Sequence, residues 1–130
     1  MTTHSVLLVD PEDARRQRRH GELSRCGWNV QCATSATTGL AIVNWFHPDV
    51  VLFDAHAGGI ELAQFATLVR SDPANDELLL IVTADEIDDA LEARARRAEF
   101  DGVVCASDEL SSVLTTIRRL RDARGAARDA

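Results

Sequence analysis

The sequence predicts a doubly wound α/β domain with a parallel five-stranded sheet, and three features of the 130-residue chain support this prediction. Short apolar runs rich in β-branched residues recur along the chain, which is typical of parallel strands buried on both faces. Segments with helical periodicity separate these runs, so strand and helix alternate. Two of the runs, 6–9 and 50–53, are each followed by an aspartate. Because ligands of open parallel sheets bind beyond the carboxyl ends of the strands, both carboxylates are expected in one crevice.

Five strands are predicted from the apolar runs and from one alternating segment. They cover residues 6–9, 28–33, 50–53, 78–82 and 102–105. For a doubly wound fold of this kind, the expected strand order is 2-1-3-4-5. The first and third strands then lie side by side, so Asp10 and Asp54 are predicted to be near neighbours.

Five helices are predicted between and after the strands. They cover residues 11–26, 36–46, 60–70, 85–98 and 108–122. Asp10 can cap the first helix with Pro11 at its first position, and Gly27 ends it. Ser35 and Ser107 are placed to cap the second and the last helix. The sequence predicts a single domain over 1–122 and a frayed tail over 123–130.

Composition is ordinary for a soluble globular protein and excludes several functions. The net charge of −7 lacks the basic surface that general nucleic-acid binding needs. No apolar stretch approaches the roughly 20 residues of a membrane span, and no signal peptide is visible, so a cytoplasmic location is expected. The cysteines, odd in number and without Cys-x-x-Cys spacing, predict buried free thiols in a reducing compartment. They are Cys26, Cys32 and Cys105. All 14 basic residues are arginine, so chemistry that needs a lysine ammonium is excluded.

Five short motifs occur in a fixed order within residues 5–121. They are Leu7-Leu8-Val9-Asp10, the segment 48–54 that ends in Asp54, Gly59-Ile60-Glu61-Leu62, Ile81-Val82-Thr83-Ala84, and Asp101-Gly102. The ordered set resembles the receiver domains of response regulators, the aspartate-phosphorylated modules of two-component signalling. The resemblance implies the flavodoxin-like (βα)5 receiver fold, Asp54 as phosphoacceptor, and Thr83 with Ala84 as switch residues. It also implies a Mg²⁺ site formed by Asp10, Asp54 and the backbone carbonyl of His56.

The chain departs from the receiver pattern at several positions. Pro11 stands where a second acid normally ends the first strand, and Glu12 follows it as a further candidate ligand. Ala106 and Ser107 replace the family's Lys-Pro pair. Val103 replaces the aromatic switch residue of the fifth strand, and the loop after the phosphoacceptor is shorter than usual.

These departures weaken the chemistry that the resemblance implies. Mg²⁺ requires near-octahedral oxygen ligands, so the loss of a carboxylate at Pro11 predicts weak Mg²⁺ binding. A lysine that contacts phosphoryl oxygens contributes ~1.5–3 kcal/mol, and this chain has none. Without an aromatic residue at 103, Thr83 cannot couple to an aromatic rotamer.

Several of these residues also have a purely structural interpretation. Asp10 is an equally good helix cap, Thr83 is also an ordinary strand-end residue, and His56 is also an ordinary loop histidine. A cluster of arginines early in the first helix is interpreted as a solvated face, with a partner contact as the alternative. The cluster consists of Arg15, Arg16, Arg18 and Arg19.

Two enzyme-related alternatives are weaker. Residues 54–59 match the Asp-x-His-x-x-Gly motif of cobalamin-binding domains, but the companion serine and glycine-rich segments are missing. An aspartate-nucleophile phosphatase of the haloacid dehalogenase type needs an aspartate at position 56 and a lysine. We therefore expect a chain that is not an enzyme.

Two functions remain open. One is a phosphate-accepting switch, in which Asp54 takes a phosphoryl group weakly from a histidine kinase or phosphotransfer protein. The other is a pseudo-receiver, a protein-interaction module that keeps the fold without the chemistry. We expect no membrane partner and no direct nucleic-acid partner, and a homodimer through the face at 85–121 is a candidate assembly.

Overall fold

The computed structural model describes residues 4–129, which form one five-stranded sheet between two layers of helices. The strands are β1 Ser5–Val9, β2 Asn29–Ala33, β3 Val50–Asp54, β4 Leu79–Ala84 and β5 Gly102–Cys105. The helices are α1 Asp13–Arg25, α2 Ala36–Phe46, α3 Leu62–Arg70, α4 Asp89–Arg97 and α5 Leu110–Asp129. A 3₁₀ turn at Pro73–Asn75 precedes β4.

The sheet is parallel and its order is β2-β1-β3-β4-β5, which confirms the predicted topology. Val9 of β1 pairs with Phe53 of β3, and Asp54 pairs with Thr83 of β4. The carboxyl ends of the three central strands therefore meet at one edge of the sheet.

Two apolar layers cover the sheet. Leu7 and Val9 of β1 belong to the layer formed with α2, α3 and α4, whereas Val6 and Leu8 belong to the layer formed with α1 and α5. Because both faces of the central strands are buried, their sequences are continuously apolar. In the first layer the ring of Phe53 lies 4.5 Å from that of Phe65, centroid to centroid.

The first helix starts later than predicted, because Glu12 and not Asp10 is its N-cap. The Glu12 carboxylate accepts hydrogen bonds from the backbone N–H groups of Ala14 at 3.1 Å and Arg15 at 2.9 Å. Asp10 instead accepts from the backbone N–H of Glu12 at 2.9 Å. The carboxylate of Asp10 therefore remains at the sheet edge and does not cap the helix.

Other element boundaries also differ from the sequence prediction. Asp88 caps α4 through Leu91 N–H, so Asp85 stays in the loop after β4. Helix α5 continues past 122, where a frayed tail was expected, and Arg124 on this extension donates to the Leu78 carbonyl at 2.8 Å. Cys26 is exposed at the end of α1, so the prediction that all three thiols are buried is wrong.

Within the described residues no helix combines the length and apolarity needed to cross a membrane.

The loop between β3 and α3 yields a stability prediction at Gly59. Its φ of 97° lies in the region that favours glycine, and an added Cβ would lie 3.3 Å from Thr37 Cβ. We expect Gly59→Ala to lower the free energy of unfolding by about 1–3 kcal/mol, measured by urea denaturation. The control is Gly58→Ala, because a Cβ there meets nothing within 4 Å and its φ is not positive. Equal losses for the two variants would contradict this account.

Candidate functional site

The acidic residues predicted to be neighbours do meet at the edge of the sheet. Asp10 directly follows β1 and Asp54 ends β3, so the strand order alone brings their side chains to the same crevice. The Asp54 side chain is 2% exposed and that of Asp10 is 13% exposed. Two carboxylates at one edge of the sheet, one of them almost fully buried, need a positive partner or a shared proton.

The positive partner is Arg15, from the first turn of α1. Its Nε donates to Asp10 Oδ2 at 2.7 Å, and its Nη2 donates to Asp10 Oδ1 at 2.8 Å. The same Nη2 donates to Asp54 Oδ2 at 2.9 Å. Its Nη1 lies 3.3 Å from Asp85 Oδ1, in the loop between β4 and α4. One guanidinium therefore links carboxylates from three separate segments of the chain.

Both carboxylate oxygens of Asp54 have a donor. Oδ1 accepts from the backbone N–H of His56 at 2.9 Å, while Oδ2 accepts from Arg15. Burial raises the pKa of Asp54 above its ordinary value, and the charge of Asp10 acts in the same direction. The hydrogen bond from His56 and the charge of Arg15 oppose this rise. Hydrogen bonding with Asp10 raises the pKa of Arg15, so its guanidinium stays charged.

A second arginine of α1, Arg19, is 7% exposed and holds the loop after β5. Its Nη2 donates to the carbonyls of Ala106 at 3.2 Å and Asp108 at 2.9 Å. Burial lowers the pKa of Arg19 below its ordinary value. The loop after β5, which carries lysine and proline in the family, is therefore held here by Arg19 of α1.

The interpretation of the arginine cluster as a solvated face is wrong for Arg15 and Arg19, although Arg18 is exposed. The composition of α1 is only a partial signal for this, because nothing local identifies which of its arginines turn inward. Arg19 and Leu23 are the buried residues of α1, a helix with very few apolar side chains to place against the sheet. A helix without an apolar stripe that still packs on a sheet must direct polar side chains inward, where they need partners.

The arrangement does not fit Mg²⁺. Both carboxylate oxygens of Asp10 and Oδ2 of Asp54 already accept hydrogen bonds from Arg15, and Oδ1 of Asp54 accepts one from His56 N–H. Glu12, the further candidate ligand, caps α1. Among the described residues, no group of three or more His, Cys, Asp or Glu side chains could hold a metal ion. Six oxygen ligands around a dication cannot be assembled beside the guanidinium.

Two of the remaining predicted positions lie beside Asp10 and Arg15. Thr83 and Ala106 line a small cavity of about 30 Å³ together with Asp10, Arg15 and Arg19. Ala84 is buried, and its carbonyl accepts from the Ala106 N–H at 2.8 Å.

The other positions that depart from the family differ in burial. Val103 packs against the apolar layer with α2, α3 and α4, while Pro11 and Ser107 are exposed. The His56 side chain is exposed, and only its backbone N–H is seen to contact Asp54.

The burial of Asp54 leads to a prediction for Asp54→Asn. Its raised pKa means that the ionised group costs folding free energy above that pKa, and the cost disappears below the unfolded value of about 4. At neutral pH the variant should be as stable as the parent or more stable by on the order of 1 kcal/mol. The gain should shrink as the pH falls towards about 4.

Urea denaturation at several pH values measures this difference. Glu86→Gln, at an exposed position of the loop before α4, is the control for removing one negative charge. A large loss of stability in Asp54→Asn would show that Asp54 has a structural role that the amide cannot fill.

Comparison with curated proteins gives one partial similarity. The chain is 30% identical over 84 residues to the transcriptional regulatory protein AfsQ1 of Streptomyces coelicolor. The match covers 65% of this chain and 37% of AfsQ1, so the chain spans well under half the length of this relative. No protein-family model matches the chain.

Solved structures of response regulators have the same fold. The chemotaxis response regulator CheY4 of Vibrio cholerae has a TM-score of 0.83 at 20% identity, covering 92% of this chain and 99% of CheY4. The signal receiver domain of NarL from Mycobacterium tuberculosis has a TM-score of 0.79 at 20% identity, covering 94% of this chain and 98% of that domain. Together with the ordered motifs, these similarities confirm the predicted resemblance: the chain has the fold of the response-regulator receiver domains.

Proposed function

We propose that the chain is a receiver module of two-component signal transduction that acts by binding partners, in a conformation that does not depend on phosphoryl transfer. The observation that carries this proposal is the guanidinium of Arg15, which binds Asp10 and Asp54 together. The fold and the position of Asp54 at the end of β3 support the receiver assignment.

The contacts of Asp54 oppose its use as a nucleophile. Phosphoryl transfer needs an attacking oxygen in line with the phosphorus and cations that offset the growing charge. Both oxygens of Asp54 accept hydrogen bonds, and the Arg15 guanidinium stands beside Oδ2. A phosphodonor would have to displace Arg15, which also binds Asp10 and Asp85.

The parts that would transmit a phosphorylation signal are also absent. Val103 has no aromatic ring to rotate, and it packs against the apolar core. Arg19 already holds the loop at Ala106 and Asp108, so no lysine-dependent movement of that loop is available. These features favour a binding module over an enzyme, and we expect its partner to be a histidine kinase or phosphotransfer protein in the cytoplasm.

One specific observation favours the second candidate, a weakly phosphorylated switch. Asp54 occupies the acceptor position, pairs in register with Thr83, and lies beside a permanent positive charge. An arginine can pair with phosphoryl oxygens as well as with carboxylates. In this alternative Arg15 would move from the Asp54 carboxylate to the phosphoryl group.

A homodimer through the face at 85–121 fits the charges of that region. Exposed arginines lie on α4 and α5, and exposed acids precede α4. The exposed arginines are Arg94, Arg96, Arg97, Arg118 and Arg119. A surface that carries both signs of charge can pair with the same surface of a second copy related by two-fold symmetry.

The proposal predicts that a small phosphodonor has no effect on assembly. We expect sedimentation velocity with acetyl phosphate and Mg²⁺ to match that without them, because Arg15 occupies the acidic pocket. Any association should weaken at high salt, since charges on the face at 85–121 would mediate it.

Intact-mass analysis of the same samples provides the chemical readout, with Asp54→Asn as the matched control. We expect neither protein to gain a phosphoryl group beyond a background that both share. A stoichiometric mass gain that requires Asp54, with a dimer that forms only with phosphodonor, would establish the switch and reject the proposal.

A further inference from the structure

We propose that Arg15 is a resident cation that replaces the divalent cation of this acidic pocket, so that the guanidinium and a metal ion exclude one another. The inference rests on the proposed function. It gives a physical reason why the conformation of the module does not depend on phosphoryl transfer. Its consequence is that a divalent-cation site exists in this chain in latent form and opens when the Arg15 side chain is removed.

The contacts of Arg15 are those expected of a group that stands in for a metal. Its three side-chain nitrogens contact carboxylates of Asp10, Asp54 and Asp85 at 2.7 to 3.3 Å. These acids come from the ends of β1 and β3 and from the loop after β4. A guanidinium has five donors in a fixed plane and no acceptor, so it can satisfy several carboxylates at once.

Direct competition follows from the shared oxygens. A metal held by Asp10 and Asp54 would need carboxylate oxygens to which Arg15 already donates at 2.7 to 2.9 Å. The pocket is largely buried, so two cations there would repel strongly with little solvent screening. Metal binding therefore requires that Arg15 leave, which exposes it to water at the cost of four hydrogen bonds.

Helix α1 holds the resident cation in place. The Arg15 backbone N–H donates to the Glu12 carboxylate at 2.9 Å, which fixes the start of the helix. Arg16 Nη1 donates to the Asp10 carbonyl at 2.9 Å, and Arg19 anchors the next turn to Ala106 and Asp108. Because the guanidinium belongs to the same chain, its local concentration does not fall when the protein is diluted.

The experiment is a Mg²⁺ titration of the full chain and its variants, followed by calorimetry and by ¹⁵N chemical shifts. We expect Arg15→Ala to bind Mg²⁺ at least about tenfold more tightly than the parent, the change that one charge-assisted contact produces. The shifts in Arg15→Ala should centre on Asp10, Asp54 and His56. The matched control is Arg25→Ala, an exposed arginine of the same helix, which should bind like the parent.

Adding Pro11→Asp to Arg15→Ala should tighten Mg²⁺ binding further, because it restores a carboxylate at the sheet edge. If Arg15→Ala binds Mg²⁺ no better than the parent, the inference is overturned, while the phosphodonor result on the parent chain still decides the proposed function.

A measurement on the parent chain covers the case in which Arg15→Ala does not fold. The Arg15 Nε–H resonance should be protected from exchange by its bond to Asp10, and it should not change when Mg²⁺ is added. Binding of Mg²⁺ at Asp54 while the Arg15 Nε–H resonance stays protected would show that the metal and the guanidinium occupy the pocket together, which contradicts mutual exclusion.

Discussion

The contact of Arg15 with Asp10 and Asp54 is the interaction on which the functional end of this domain depends. A parallel sheet collects its strand ends at one edge, so residues that end neighbouring strands are forced together. Asp54 is almost fully buried there, and an unpaired buried carboxylate is very costly. Receiver domains are expected to solve this problem with a bound metal ion, whereas this chain solves it with its own guanidinium.

Because Arg15 pairs with both carboxylates, helix α1 has a second role besides packing on the sheet. The helix has few apolar residues to cover the sheet, and it directs two arginines inward one turn apart. Arg15 reaches the acidic pocket and the loop after β4, while Arg19 reaches the loop after β5. The loops after β4 and β5 are thereby tied to one helix through charged hydrogen bonds.

The opposite end of the sheet shows the same use of arginine. Arg70 Nη1 donates to the carbonyls of Asn75 at 2.9 Å and Leu78 at 2.7 Å, and its Nη2 pairs with Asp101 at 3.0 Å. Arg124 of α5 contacts the same Leu78 carbonyl. A guanidinium can donate to several acceptors that lie in its plane, which a lysine ammonium cannot do with the same geometry. In a chain without lysine, arginines therefore tie irregular loops to the core at both edges of the sheet.

The sequence alone predicts the strand positions, the strand order and the proximity of Asp10 to Asp54. These follow from local apolar runs and from general rules of parallel sheets, which need no knowledge of side-chain contacts. It did not reveal the role of Arg15, because a charged residue on a helix has the same local pattern whether it faces water or a crevice. The inward position of Arg15 depends on how α1 packs against the sheet and on which carboxylates lie within its reach, and both are properties of the folded chain.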